Sequence, residues 1–233
     1  MQTDIVAGVS HDLKTPLAGI SASAQLLTSG RANTPEEVKE FSGYILNEAK
    51  RLTAVVEKVL TLAKLETQQV AMHPEAISIV CLVDQAIESV RSAFPKATIV
   101  RGNIPDDNVS GDFQGLATVL VNLIDNAVRY SNAEAPWVQV DAEWNTHGEK
   151  RDLHLRVRDR GVGIPVEEQS YIFQKFYRVQ QGMVCDTEGT GLGLAIASEI
   201  IRAHHGSIQV ESQPGFGSVF TVVLPYERPN FSH

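Results

Sequence analysis

The sequence has 233 residues, 43% of them hydrophobic and 21% charged, a composition that supports folded cores and excludes a disordered chain. Its formal net charge of -8 argues against a nucleic-acid binder, because that class of protein usually carries a clustered basic surface. The two cysteines, Cys81 and Cys185, lie far apart without metal-ligand spacing, which favours free thiols in the reducing cytoplasm.

No apolar stretch approaches the roughly 18 to 20 residues that a membrane-spanning helix needs, and the N-terminus lacks the pattern of a signal peptide. The sequence opens inside a helical pattern, a few residues before its most reactive-looking histidine. We therefore expect a cytoplasmic fragment of a longer protein, in which any membrane anchor belongs to an upstream segment.

Two amphipathic helices are predicted at the N-terminus. Apolar residues recur at three- and four-residue steps over Ile5 to Leu27 and again over Val38 to Leu62, the period of a helix stripe. Gly30 interrupts the pattern, and Thr34 followed by Pro35 and two glutamates predicts a capped helix start. Such a hairpin leaves one apolar stripe on each helix exposed, so we expect two copies to pair as a four-helix bundle.

A second domain is predicted over residues 77–228, separated from the hairpin domain at 1–68 by a linker at 69–76. Its predicted elements mix helices with mostly sequential strands, which indicates an α+β sandwich. The predicted helices are Ser78–Val90, Asp112–Tyr130 and Gly189–Ala203, and the predicted strands are Thr98–Arg101, Val138–Glu143, Leu153–Arg158, Ser207–Glu211 and Ser218–Leu224.

The first chemical motif runs from His11 to Pro16 on the first helix. A heptad that places Leu13 and Ile20 in the apolar seam puts His11 on the outer face, accessible to a partner. A neutral imidazole nitrogen accepts a phosphoryl group, and the Asp12 carboxylate can hold the proton on the other ring nitrogen. The alternative is an ordinary surface histidine. Pro16 argues against it, because proline inside a helix costs about 3 kcal/mol.

The helix from Leu120 to Ser131 carries a polar set at steps that bring its members to one face. The set consists of Asn122, Asn126, Arg129 and Tyr130. An amide oxygen suits Mg²⁺, which keeps several waters and bridges nucleotide phosphates. The alternative for these side chains is a solvated helix face.

Two glycine-rich motifs follow. Asp159, Gly161, Gly163 and Ile164 come after a strand, where glycines let the backbone approach a ligand, although turns use the same residues. Gly189, Thr190, Gly191, Leu192 and Gly193 open an apolar helix, whose first backbone amides can cradle phosphates. The second motif is not a P-loop, because the G-x-x-x-x-G-K-[ST] pattern is missing.

Phe173 and Phe176, with Arg178 behind them, lie between the two glycine motifs, and their alternative interpretation is plain core packing. The stretch Val179–Glu188 is polar and without periodicity, which suits a loop that orders over a ligand. The other histidines have no ligand spacing, and the pair at 204 and 205 before Gly206 is typical of a helix C-terminus.

In their order and spacing these five motifs resemble those of the bacterial two-component sensor histidine kinases. The hexamer from His11 to Pro16 resembles the phosphoacceptor motif of the dimerisation and histidine-phosphotransfer domain. The later motifs resemble the N box, first glycine box, F box and second glycine box of the ATP-binding domain, so the match covers Val6 to Leu224. The resemblance implies a helical hairpin, a four-helix bundle as a dimer, followed by an α+β sandwich of the Bergerat or GHKL type.

The resemblance also implies roles for single residues. Asn126 is the Mg²⁺ ligand, Arg129 offers its cation to the phosphates, and Tyr130 places a ring near the nucleotide base. Asp159 accepts a hydrogen bond from the amino group of adenine. The other residues implied to hold ATP are Asn122, Gly161, Gly163, Ile164, Phe176, Arg178, Gly189, Thr190, Gly191, Leu192 and Gly193.

The function implied by the resemblance is an enzyme that uses Mg-ATP to phosphorylate its own His11 and then passes the phosphoryl group to an aspartate on a response regulator receiver domain. In the family, an acid such as Asp12 with a threonine such as Thr15 accompanies phosphatase activity toward the regulator. The Thr15 hydroxyl could orient the attacking water. The implied partners are a second copy of the chain and the regulator, with any anchor of the full-length protein in the inner membrane.

Two alternatives come from other classes of protein. A non-catalytic phosphorelay scaffold would keep the hairpin and the nucleotide-binding fold without turnover, but the intact Asn126, Asp159 and glycine boxes argue against it. An ATP-driven conformational machine, such as the chaperone and gyrase members of the superfamily, would hydrolyse ATP with water. Those proteins lack the His11 hairpin and need a transducer domain that this sequence does not contain.

Overall fold

The computed structural model describes residues 2–67, 73–131, 136–148, 150–179 and 190–226, with side chains described from residue 13 onward except at Glu66 and His147. The chain divides into two compact units, Met1–Ala63 and Lys64–His233. Among the described helices, none combines the length and the apolar character that crossing a membrane requires.

The first unit contains two long helices, α1 (Gln2–Thr28) and α2 (Pro35–Glu66). Between them Gly30 has a φ of 69°, a left-handed conformation that ends a helix. A capping box starts α2: the N–H of Glu37 donates to Oγ1 of Thr34 at 3.2 Å, and the Glu37 carboxylate accepts from the N–H of Thr34 at 3.2 Å. The predicted helix pair and its break are confirmed.

The apolar stripes of the hairpin are buried unevenly within one chain. Val55 and Leu62 are 4% and 6% exposed, whereas Leu17, Leu46 and Leu60 are 54%, 55% and 54% exposed. Leu17 belongs to the predicted stripe of α1, so part of that stripe is not covered by α2. A single hairpin thus leaves large apolar side chains in contact with water, which is unfavourable unless another surface covers them.

The second unit is the predicted α+β sandwich. Its helices are α3 (Ile79–Ala93), α4 (Phe113–Arg129) and α5 (Gly193–Ala203). Its strands are β1 (Glu75–Ser78), β2 (Thr98–Arg101), β3 (Asn108–Gly111), β4 (Trp137–His147), β5 (Lys150–Asp159), β6 (Ser207–Gln213) and β7 (Gly217–Pro225). Five strands form one sheet in the order β2-β4-β5-β7-β6, with β2 parallel to β4 and the other pairs antiparallel.

The core lies between this sheet and the three helices. Along β5 the residues at 153, 155, 157 and 159 are buried and alternate with more exposed positions, the period of a strand with one covered face. On α4, Leu116, Leu120, Leu123 and Ile124 are at most 1% exposed and recur at three- and four-residue steps. Burial of each such side chain contributes roughly 1.5–3 kcal/mol.

Two details differ from the prediction. Strands β1 and β3, which were not predicted, pair antiparallel as a separate sheet, and β1 occupies the end of the predicted linker. Each has 4 residues, too few to show a period. Helix α5 begins at Gly193 and not at Gly189, because Gly191 has a φ of 64°, which a right-handed helix does not accommodate.

The side chain of His204 connects α5 to the start of α4. It is 9% exposed, its Nε2 accepts from the N–H of Asp112 at 2.9 Å, and its Nδ1 lies 2.8 Å from the carbonyl of Ile200. Because Nε2 is the acceptor, Nδ1 carries the proton. Asp112 in turn caps α4, since its Oδ1 accepts from the N–H of Gly115 at 2.7 Å. His204 thus has a structural role beyond ending its own helix.

We predict that His204→Ala lowers the free energy of unfolding of the second unit by about 1–3 kcal/mol, because the Asp112 amide loses its acceptor in a partly buried site. His205→Asn is the matched control, since His205 has a φ of 57° that asparagine tolerates, and its change should stay within about 0.5 kcal/mol. Urea unfolding followed by circular dichroism measures both variants. Equal losses in the two would contradict the role assigned to His204.

Candidate functional site

A cavity of about 530 Å³ lies between α4, the turn after β5, the segment before residue 180, and β7. Ile172, Leu194 and Phe220 give it apolar walls, a composition typical of small-molecule sites. Six of the residues assigned to the site from sequence line it: Asn126, Tyr130, Asp159, Gly163, Ile164 and Arg178. The N box, first glycine box and F box therefore meet at one cavity.

The Asp159 carboxylate is the most buried charged group of the cavity, at 6% exposure. Its Oδ1 accepts from the N–H groups of Gly161 at 2.8 Å and Ser218 at 3.1 Å. Within the described residues no hydrogen bond reaches Oδ2, which leaves this oxygen for a ligand. Burial raises the pKa of Asp159, and the two backbone hydrogen bonds lower it in part. A buried acceptor of this kind favours a ligand with an N–H group to donate.

The glycines beside Asp159 are required by close backbone contacts. A Cβ at Gly161 would lie 2.1 Å from the carbonyl oxygen of Tyr130, and one at Gly163 would lie 2.0 Å from that of Gln213. Gly163 also has a φ of 70°. Neither position has room for a side chain, and glycine at both lets the backbone of the turn approach the cavity.

Part of the polar set on α4 lines the cavity. Asn126 and Tyr130 line the cavity, and neither Asn122 nor Arg129 is among its described lining residues. Arg129 pairs with Asp125 at 2.7 Å and lies 5.2 Å from the ring centre of Phe94, and its role toward the phosphates stays a prediction. A helix turns about 100° per residue, so positions 122, 126, 129 and 130 fall within about 100° of one another, with 122 and 129 at one edge of that sector.

Asn122 lies against the start of α5. A Cβ at Gly193 would be 3.1 Å from Oδ1 of Asn122, so the absence of a side chain at 193 lets the two helices approach. Asn122 is therefore placed to position the second glycine box, and the structure does not bring it to the cavity itself.

The F box has two parts. Phe173 packs edge-on against Phe220, with ring centres 6.5 Å apart, as the core-packing interpretation requires. Phe176 has a φ of 63°, and its N–H donates to the carbonyl of Gly191 at 3.0 Å. The residues behind it, Tyr177 and Arg178, line the cavity.

The second glycine box is described from Thr190 onward. Oγ1 of Thr190 is buried without a hydrogen-bond partner in the described part of the chain. Leu192 is fully buried and supplies no side-chain hydrogen bond at the start of α5, so the first amides of that helix are left to a ligand or to water. Gly189, Cys185 and the predicted loop apart from Val179 lie outside the described residues.

Several cavity residues were not found from sequence. Ile172, Tyr177, Leu194, Ser218 and Phe220 all line it. Ser218 reaches Asp159 because β7 pairs with β5 in a register that sets Val219 opposite Arg158. Only the strand pairing, which the sequence does not display, would have revealed this contact.

The phosphoacceptor motif lies on α1. The backbone at positions 11 and 12 is helical, and the side chains of His11 and Asp12 lie outside the described set. Lys14 and Thr15 are exposed, while Pro16 is buried. The motif thus lies on a helix, as predicted, with Thr15 at the surface.

Residues 111–228, just over half of the chain, match the family of histidine kinase-, DNA gyrase B-, and HSP90-like ATPases, and residues 1–68 match the His Kinase A (phospho-acceptor) domain. The chain belongs to the sensor histidine kinase family. Its ATPase domain is therefore a nucleotide-binding domain, and the cavity beside Asp159 is its candidate ATP site.

Relatives and solved structures agree with this assignment. The sensor-like histidine kinase SenX3 of Mycolicibacterium smegmatis is 33% identical over 232 residues, which cover 99% of this chain and 59% of SenX3. The sensor protein RprX of Bacteroides fragilis is 32% identical over 229 residues, covering 97% and 44%. This histidine kinase core thus spans about half the length of the curated relatives it matches.

Among solved structures, the Acinetobacter baumannii histidine kinase AdeS superposes with a TM-score of 0.74 at 27% identity, covering 94% of this chain and 98% of AdeS. Full-length ShkA in complex with AMPPNP superposes with a TM-score of 0.66 at 27% identity, covering 94% and 45%. The kinase fold is thus shared along almost the whole chain.

We predict that Asp159→Asn makes the empty kinase core more stable at pH 7 and weakens ADP binding roughly tenfold or more. Because the folded-state pKa of Asp159 is raised, its stabilising contribution is present at pH below the pKa of the unfolded chain and is lost as the pH rises toward the folded-state pKa. Asparagine does not ionise and avoids this loss, so the stability gained by Asp159→Asn should vanish near pH 3.

Thermal unfolding at both pH values and calorimetric titration with ADP measure these effects. Asp152→Asn, on the opposite face of the same strand, is the control and should leave ADP binding unchanged. Wild-type affinity for ADP in Asp159→Asn would show that Asp159 does not bind the nucleotide.

Proposed function

We propose that this chain is an ATP-dependent protein-histidine autokinase that phosphorylates its own His11 in two-component signalling. The observation that carries the proposal is the buried Asp159 carboxylate, with Oδ2 left for a donor ligand, in an ATPase-family domain that follows a phosphoacceptor domain. The adenine amino group has the required donor, and guanine presents a carbonyl at the same position of its ring.

The residues around the cavity suit both the base and the phosphates of a nucleotide. Ile164, Ile172 and Phe220 offer apolar surface to a base. Phosphates are expected toward the start of α5, where backbone amides lack side-chain acceptors and the Thr190 hydroxyl is buried without a partner among the described residues. Arg178, in the cavity wall, supplies a positive charge for them.

Asn126 is the residue that we propose to hold Mg²⁺. Asn126 lines the cavity, and no cluster of His, Cys, Asp or Glu suited to a metal occurs in the described part of the chain. This fits Mg²⁺, which accepts a single protein ligand and completes its shell with phosphate oxygens and water. When bound, the ion offsets negative charge on the transferred group.

The transfer itself requires a neutral His11. One ring nitrogen forms a bond to the γ-phosphorus while the bond from phosphorus to the bridging oxygen of ADP breaks. The Asp12 carboxylate accepts a hydrogen bond from the other ring N–H and stabilises the positive charge that develops. The phosphoryl group then passes to an aspartate of a response regulator receiver domain.

We further propose that the hairpin forms a homodimer. The exposed Leu17, Leu46 and Leu60 support it, because a second hairpin would remove them from water in a four-helix bundle. We divide the chain into a dimerisation and phosphotransfer domain at 1–68, a linker at 69–76 and a catalytic domain at 77–228. The core is expected to act in the cytoplasm, where ATP and response regulators occur.

We expect wild-type protein incubated with γ-labelled ATP and Mg²⁺ to acquire an acid-labile, base-stable label, and His11→Gln to lose all of it. His154→Gln, on the outer face of the sheet, should label like the wild type. ATP hydrolysis without a labelled histidine would favour an ATP-driven conformational machine. Nucleotide binding without label or turnover would favour a phosphorelay scaffold.

We also expect Thr15→Ala to keep autophosphorylation and to slow dephosphorylation of a response regulator that has taken its phosphoryl group from this kinase, by roughly 10²-fold if Thr15 orients the water. Ser21→Ala, another exposed hydroxyl on α1, is the control. The time course of phosphorylated regulator with ADP present measures the effect. Wild-type rates in Thr15→Ala would refute a phosphatase role for this residue.

A further inference from the structure

A tyrosine in the cavity wall is held by a carboxylate that does not itself reach the cavity. The phenol of Tyr177 donates a hydrogen bond to Oε2 of Glu168, and Tyr177 lines the cavity. This hydrogen bond is the main cause that raises the pKa of Tyr177 to about 12, so the phenol keeps its proton across the physiological range. The ring of Tyr171 lies beside it, with centres 5.7 Å apart.

Glu168 is carried by a turn that is fastened to the sheet. The N–H of Glu168 donates to the carbonyl of Pro165 at 3.0 Å. The neighbouring Gln169 donates through Nε2 to the carbonyls of Ile164 at 3.0 Å and Ser212 at 2.9 Å. Ile164 lines the cavity and Ser212 belongs to β6, so the turn holds Glu168 at a fixed place relative to the site.

The segment that follows Phe176 needs such a support. Phe176 has a φ of 63°, a conformation that is unfavourable for a bulky side chain and persists only where neighbours hold it. On one side its N–H is bonded to the carbonyl of Gly191. On the other side the hydrogen bond from Tyr177 to Glu168 is the next side-chain contact along the chain.

We propose that Glu168 is a positioning residue for nucleotide binding, which acts through the hydroxyl of Tyr177 to hold Tyr177, Arg178 and Val179 as one wall of the cavity. The inference rests on the proposed function, since it takes the ligand of the cavity to be ATP. Loss of the hydrogen bond lets this wall move, so the affinity for nucleotide falls while the transfer step itself is unaffected.

The test compares Tyr177→Phe, Glu168→Ala and the double variant in the full chain by calorimetric titration with ADP. Each single variant should bind ADP roughly five- to tenfold more weakly, the range expected for loss of a hydrogen bond to a charged group that is partly replaced by water. The double variant should bind no more weakly than either single one, because both remove the same contact. Glu168→Gln, which keeps an acceptor, should lie between the wild type and Glu168→Ala.

Tyr171→Phe is the matched control, because this neighbouring tyrosine stacks on Tyr177 without taking part in the hydrogen bond to Glu168, and it should bind ADP like the wild type. In autophosphorylation assays the KM for ATP should rise by the same factor as the dissociation constant of ADP, with kcat within about twofold of the wild type. Thermal unfolding of the empty variants is measured alongside.

The outcomes separate this proposal from the function on which it rests. A wild-type chain that does not bind ADP would contradict the proposed function. Wild-type binding together with unchanged binding by Tyr177→Phe would overturn the positioning role. The positioning role would also be overturned if the losses of ADP affinity in the two single variants multiplied in the double variant. A lower melting temperature of the variants with wild-type ADP affinity of the folded protein would overturn it too.

Discussion

The ligand cavity depends on one close backbone contact, between the end of α4 and the turn after β5. Gly161 lies so near the carbonyl of Tyr130 that a Cβ would come within 2.1 Å of it, and the N–H of Val162 donates to the same carbonyl at 3.1 Å. A bridge between Ser131 and Gly161 continues the contact. Any side chain at 161 would separate the helix from the turn, and with it Asn126 from Asp159.

That contact also decides how Asp159 is solvated. The turn brings the N–H of Gly161 onto Oδ1, and β7 brings the N–H of Ser218 to the same oxygen. Two donors to one oxygen keep the buried carboxylate in place. The pKa of Asp159 nevertheless remains raised, so these donors do not fully replace the water that burial removes. The second oxygen is the group whose hydrogen bonding a ligand can complete, which makes the empty site less favourable than the filled one.

The sequence predicted what local periodicity and composition control, and missed what strand pairing and turns control. Helix α4 followed from its apolar spacing, but the pairing of Arg129 with Asp125 was not predicted. His204 lies at a helix end as predicted, but its acceptor role was missed, since that role depends on a residue 92 positions away. The contact between Glu168 and Tyr177 depends on a turn that has no period at all.

The geometry of α1 allows pairing and chemistry to use different faces of one helix. At about 100° per residue, positions 11 and 15 lie about 40° apart and share a face, whereas positions 15 and 17 lie about 200° apart. Leu17, 54% exposed in the single chain, therefore projects away from the face of Thr15. A second hairpin that covers Leu17 would leave the face of positions 11 and 15 open to ATP and to a response regulator. Dimerisation and phosphotransfer are in this way compatible on a single helix.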